Sequence, residues 1–100
     1  MSATVQPLSI AVGESESVSA LLQVPADALA CYVMAHGAGA GMTHPFMTSV
    51  AGELAEHRVA TLRFQFPYME RGERRTDPPK VAHAAIRAAA GEASRRLAPL

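Results

Sequence analysis

The run Leu29-Ala30-Cys31-Tyr32-Val33-Met34-Ala35 carries no charge and opens directly into His36-Gly37-Ala38-Gly39-Ala40-Gly41. A continuous apolar run of this length reads as a strand covered on both faces. The glycines that follow let the backbone approach a ligand closely and adopt positive φ. Beyond the loop, Thr43 or His44 can cap a helix, and Pro45 suits its first turn, where no N–H is needed. Phe46, Met47, Val50, Ala51, Leu54 and Ala55 then recur at helical spacing, with Glu53, Glu56 and Arg58 outside the stripe. A buried strand, a glycine loop and a helix in direct succession restrict the chain to α/β architectures.

The flanking segments agree. Leu8, Ile10 and Val12 alternate with Ser9 and Ala11, the pattern of a half-buried strand. Gly13 to Glu16 turns the chain, and Val18 to Val24 reads as a second strand, antiparallel to the first. Pro25 to Ala28 is a turn, and Val59 to Phe64 is a further short strand. Gln65 to Asp77 reads as a charged loop. Asp77-Pro78-Pro79 opens a second helix that runs to about Leu97 and is stopped by Pro99. Gly91 weakens its middle by about 1 kcal/mol. The order β-β-β-α-β-α over residues 1–100 describes one partial domain: a three-layer α/β sandwich, its parallel sheet begun by an antiparallel pair. The sequence stops after a helix, where a further parallel strand is due, so truncation is the expectation.

Charge narrows the partners. Lys plus Arg is 9 and Asp plus Glu is 9, so no excess positive charge is present to attract nucleic acid or a membrane surface. With 49% hydrophobic and 18% charged residues the chain is not expected to be disordered. Alanine dominates and aromatics are only 5%, so the core is thin. Cys31, the single cysteine, cannot form an internal disulfide and reads as a small buried strand residue in a reducing compartment. Met1 to Gly13 lacks the features of a signal peptide, and no stretch approaches the roughly 20 apolar residues of a membrane span. A soluble, cytoplasmic protein is expected.

Three readings of the glycine loop compete. A dinucleotide fingerprint needs Gly-x-Gly-x-x-Gly, but counting from Gly37 the sixth position is Met42, and from Gly39 it is His44. The acidic residue expected after the next strand is replaced by Arg63, which leaves only an NADP-type variant of that reading. A tight turn with no ligand is the second. The third is an oxyanion hole, in which the loop after the third strand offers a backbone N–H to a developing negative oxygen. On that reading Ala38 is the preferred donor, Gly37 and Gly39 shape the loop, and His36 is a loop-shaping hydrogen-bonder.

Three blocks make a resemblance specific: Ala35 to Met42; His44-Pro45-Phe46-Met47; and Leu62-Arg63-Phe64-Gln65-Phe66-Pro67-Tyr68-Met69-Glu70 with Asp77-Pro78-Pro79. Together, over about residues 29 to 80, they resemble the dienelactone-hydrolase-like group of α/β-hydrolases. That group also contains testis-expressed proteins and a subunit of the NSL histone-acetyltransferase complex. The resemblance implies the N-terminal part of a serine hydrolase with a Ser-Asp-His triad, acting on an ester, thioester or lactone without a cofactor. Some eukaryotic members act as scaffolds, so a non-catalytic scaffold or protein-interaction module is the alternative.

The nucleophile elbow, Gly-x-Ser-x-Gly, has no counterpart: serines 2, 9, 15, 17, 19, 49 and 94 all lack glycine at one or both flanking positions of that motif. The segment alone is therefore expected to be inactive, a truncation before the elbow, and to associate through an open edge at its last strand. His44 and His57, thirteen residues apart without a carboxylate cluster, do not read as metal ligands. His57 with Glu53 reads as a solvated pair, and His83 as a surface residue. Candidate substrate contacts are His36, Met42, Tyr68 and Arg71. Tyr68 and Met69 would wall a pocket, and Arg71, Arg74 or Arg75 would receive an anionic substrate group. Met42, Phe46 and Met47 read as core or pocket floor.

Overall fold

The computed structural model describes residues 4–13, 16–37 and 41–97. Within them the chain forms β1 (Thr4–Ala11), β2 (Ser17–Val24), β3 (Ala30–Ala35), α1 (Pro45–Glu56), β4 (Val59–Phe64), α2 (Pro67–Glu70) and α3 (Pro79–Leu97). The strands make one mixed sheet in the order β1-β2-β4-β3. β1 and β2 form the antiparallel pair, in a register that sets Ile10 opposite Val18 and Leu8 opposite Ala20. β4 pairs antiparallel to β2, Ala20 facing Phe64, and parallel to β3, Leu62 facing Val33.

Period-two alternation divides the sheet into two faces. Ile10, Val18, Ala20, Leu22, Leu62 and Phe64 point to one side and pack on Ala85, Ala89 and Ala93 of α3. The alanine stripe lets the helix lie close to the sheet. On the other face Met34 meets Met47 and Ala51 of α1. The three-layer arrangement is thus helix, sheet, helix. α1 starts as its sequence dictates: Pro45 occupies the first turn, and the His44 side chain accepts the Phe46 N–H at its Nδ1. It ends at Glu56 with His57 as its cap, and the next residue, Arg58, turns the chain into β4 through a positive φ of 66°.

Three expectations require correction. The Leu29–Ala35 run is not covered on both faces. β4 inserts between β2 and β3 and leaves β3 at the border of the sheet, with Leu29 62% and Tyr32 55% exposed. Phe46, expected in the α1 stripe, is 69% exposed, because the buried face of that helix narrows to Met47 and Ala51. The Gln65–Asp77 segment is not loop throughout, since Pro67 starts the one-turn helix α2.

Candidate functional site

The carboxyl ends of β3 and β4 lie side by side, Ala35 paired with Phe64, and the chain leaving each passes the other. Of the proposed oxyanion loop, Gly37 is described and exposed at the end of β3, whereas Ala38 and Gly39 lie outside the described residues. What holds the loop on either side is well defined. His36 is 5% exposed. Its Nε2 accepts the N–H of Phe66 at 3.0 Å, and its Nδ1 lies 2.9 Å from the Gly37 carbonyl, to which it donates. These two bonds fix a neutral imidazole with its proton on Nδ1. Both nitrogens are occupied by backbone, and the ring edge packs on Phe66 and Tyr68 with centroids at 5.0 and 5.8 Å.

On the far side of the loop, Met42 donates its N–H to Gln65 Oε1 at 2.9 Å and accepts at its carbonyl from Arg63 Nη1 at 3.3 Å. Arg63 also donates to Thr48 Oγ1 at 3.0 Å and Gln23 Oε1 at 3.3 Å, so it joins loop, helix α1 and strand β2. It is 3% exposed and has no carboxylate partner in these contacts. Burial lowers its pKa from the ordinary arginine range. A guanidinium sunk this deep offers no face to a cofactor phosphate, which removes the support for the NADP-type reading. Gln65 had no role in the sequence reading. Its signal was its position just past the end of β4, two residues beyond Arg63, a relation that matters only once β4 is placed beside the loop.

Beyond Phe66, Tyr68 is 3% exposed and donates its backbone N–H to Asp77 Oδ2 at 3.1 Å. Asp77 therefore serves α2 rather than capping α3, whose first turn is received by the Pro78 carbonyl. The other oxygen of Asp77 accepts from Arg71 Nη2 at 3.1 Å. Arg71 also pairs with Glu73 and Glu16, and these carboxylates raise its pKa above the usual arginine range. All three guanidinium nitrogens thus face carboxylates of the chain itself. Glu70 ties the same segment to β2, accepting the Ser19 N–H and hydroxyl at its two oxygens. His36, Phe66, Tyr68, Thr76, Asp77 and Ala82 line a small cleft of about 120 Å³. So the structure brings His36 and Tyr68 together at one cleft, places Met42 against Gln65 and Arg63, and sets Arg71 behind Asp77.

Among the described residues no group of three His, Cys, Asp or Glu side chains could hold a metal ion, and no helix is long and apolar enough to cross a membrane. His44 is committed to capping α1, and His57 and His83 are exposed. Burial pushes the Cys31 thiol up from its ordinary pKa, which lowers the thiolate fraction a nucleophile needs.

A mixed sheet between two helical layers, with a glycine loop at the carboxyl end of its third strand, defines an α/β-hydrolase scaffold. A family profile described as an alpha/beta hydrolase domain matches residues 28–96, and the chain belongs to that family. The fold is similar to the crystal structure of dienelactone hydrolase from Anabaena variabilis, with a TM-score of 0.79 at 21% identity. That match covers 94% of this chain and 46% of the other, so the chain spans about half the length of its structural relative. No curated protein matches the sequence.

Proposed function

We propose that this segment supplies the oxyanion-binding part of a serine-type carbonyl hydrolase acting on a small-molecule ester, thioester or lactone. The observation that carries the reading is the anchoring of the glycine loop on both sides by one strand end: His36 to Phe66 before it, Met42 to Gln65 and Arg63 after it. An oxyanion hole needs N–H groups already aimed at the position where charge develops, because reorienting them during the reaction would forfeit their stabilisation. In this reading the N–H of Ala38 is the donor, Gly37 and Gly39 allow its approach, and His36 holds the loop instead of moving protons. The cleft beside His36 and Tyr68 receives part of the substrate. The attacking serine is supplied from outside these 100 residues, since no Gly-x-Ser-x-Gly occurs within them.

A fluorophosphonate probe tests this directly. The 100-residue chain is expected to remain unlabelled, whereas the protein together with the sequence that supplies the serine is labelled at that one residue. In the labelled form Ala38→Pro, which deletes the donor N–H, lowers kcat by about 10²- to 10³-fold with KM nearly unchanged. Folded protein that carries such further sequence and takes up no label would sink the enzymatic reading and favour the non-catalytic scaffold.

A further inference from the structure

Both backbone polar groups of Met42 are held by side chains from a single strand end. The N–H reaches Gln65 and the carbonyl is reached by Arg63. Residues two apart on a strand share a face. With Leu62 and Phe64 turned to α3, Arg63 faces α1 and the loop, reaching Thr48 and Met42, and Gln65, the residue after β4, reaches the Met42 N–H. The Met42 N–H belongs to the peptide plane shared with Gly41, and the Met42 carbonyl to the plane shared with Thr43. Two successive planes are therefore fixed at the loop's exit. The Gly41 carbonyl adds a third tie by accepting the His44 N–H at 3.1 Å.

The approach is close by construction. A Cβ at Gly41 would lie 2.9 Å from Gln65 Oε1, so a larger residue there would push the flexible amide off its place and away from the Met42 N–H. Arg63 is a costly residue to keep here, because a buried cation facing neutral oxygens gives up its hydration without an opposite charge in return. A methionine of similar reach would fill the space without that cost but would leave the Met42 carbonyl unheld. The chemistry at position 65 is equally selective. A glutamine oxygen accepts the Met42 N–H with no net charge, whereas a glutamate would accept it equally well but add a negative charge to a loop that, on the oxyanion reading, receives a negative oxygen.

The geometry points to Gln65, assisted by Arg63, as a positioning residue of the oxyanion loop: it locks the two Met42 peptide planes at the loop's exit, where the chain leaves the segment to which the proposed function assigns the oxyanion. This role rests on the oxyanion reading above, and the two are separable by experiment.

The first arm uses the 100-residue chain labelled with ¹⁵N and follows the Met42 amide. Gln65→Met removes the acceptor while keeping length, and exchange of that amide is expected to quicken about fivefold, the worth of one net hydrogen bond, with an upfield proton shift. Gln65→Glu restores both values. Gln65→Asn, too short to reach, repeats the loss and serves if the methionine variant does not fold. An unchanged Met42 amide in a folded Gln65→Met or Gln65→Asn chain overturns the positioning role and leaves the oxyanion reading standing. The second arm measures ester turnover on the protein with its serine. Gln65→Met lowers kcat at constant KM, and Gln65→Glu fails to restore kcat although it restores the amide. Equal recovery of amide and kcat by the glutamate variant overturns the part assigned to charge. A wild-type protein without turnover or fluorophosphonate labelling removes the oxyanion reading itself, whatever the amide shows.

Discussion

The backbone N–H of Phe66 donates to His36 Nε2 at 3.0 Å, and the two rings meet edge to face with centroids 5.0 Å apart. This contact stitches the end of β3 to the chain leaving β4, where the strands no longer pair. His36→Leu would keep apolar volume but leave the Phe66 N–H and the Gly37 carbonyl without their partner. Gly37 is exposed and its carbonyl can turn to water, so the cost falls on the half-buried Phe66 N–H, about 1–3 kcal/mol for a donor left unmatched. Urea denaturation of the variant is expected to show a lower midpoint at an unchanged slope, the product of the two falling by that amount. A midpoint equal to wild type would show that water replaces the imidazole at no cost.

Asp77 and Arg71 offer a contrast between buried and exposed charge. The Asp77 side chain is 2% exposed and holds the Tyr68 N–H as well as Arg71, whose own side chain is 42% exposed. Asp77→Ala is therefore expected to destabilise by about 1–3 kcal/mol, because a backbone donor loses its acceptor inside the fold. Arg71→Met removes two ion pairs on a solvated surface, to Glu16 and Glu73, and one to the buried Asp77; the solvated pairs' share of its smaller effect is expected to fade in 1 M salt, where the Debye length is about 3 Å. Thermal melts at low and high salt check the order. An Arg71 variant worse than the Asp77 variant at high salt would contradict it.

Local sequence carried much of this fold. The bounds of β4 follow from an apolar, β-branched run, the start of α1 from Pro45 next to a capping side chain, and α3 from the Asp-Pro-Pro entry and its alanine stripe. What local pattern does not encode is strand order. An apolar run looks the same at the centre of a sheet and at its border, so the exposure of Tyr32 has no local signature. α2 is too short to show helical periodicity, and only Pro67 hints at it. The same limit applies to the candidate site. The His-Gly loop is legible because glycine spacing is a local property. The grip of Gln65 and Arg63 on Met42 joins residues more than 20 positions apart and exists only through the β3–β4 register.

Thr61 is fully buried at the centre of β4, and its Oγ1 has no hydrogen-bond partner among the described residues. Valine has nearly the same shape, favours strands equally and carries no hydroxyl to satisfy. Thr61→Val is expected to stabilise by about 1 kcal/mol, read as a higher midpoint in chemical denaturation. A lower midpoint would mean that the hydroxyl has a partner, such as an ordered water, that valine displaces.

Gly91 sits inside α3, where a Cβ would meet only the flexible end of Arg95, its Nη1 at 3.3 Å. Arg95 pairs with Glu92 at 2.8 Å on the exposed side of the helix, and a small shift of that end forfeits little. Gly91→Ala gains about 1 kcal/mol of helix propensity, which for a domain of this size raises Tm by about 4–8 °C. Calorimetry checks the direction, and a lowered Tm would show that the added methyl crowds more than the Arg95 side chain.

The outer edge of β3 carries the last consequence. In the described sheet this strand has a neighbour on one side only, and Tyr32 and Leu29 beside it are more than half exposed. A strand edge with free backbone groups and apolar side chains invites pairing with another chain, and charged residues oppose it. The sequence pointed to an open edge at the last strand, β4, but β4 is paired on both sides and the edge falls at β3 instead. The 100-residue chain is therefore expected to self-associate in solution, and Leu29→Lys with Tyr32→Lys to raise its monomer fraction. Both positions are exposed, so the double variant should alter fold stability by no more than about 1 kcal/mol. Size-exclusion chromatography with light scattering distinguishes the outcomes. A wild-type chain that is monomeric with a sharp two-state melt would mean that the β3 edge is protected without any partner strand.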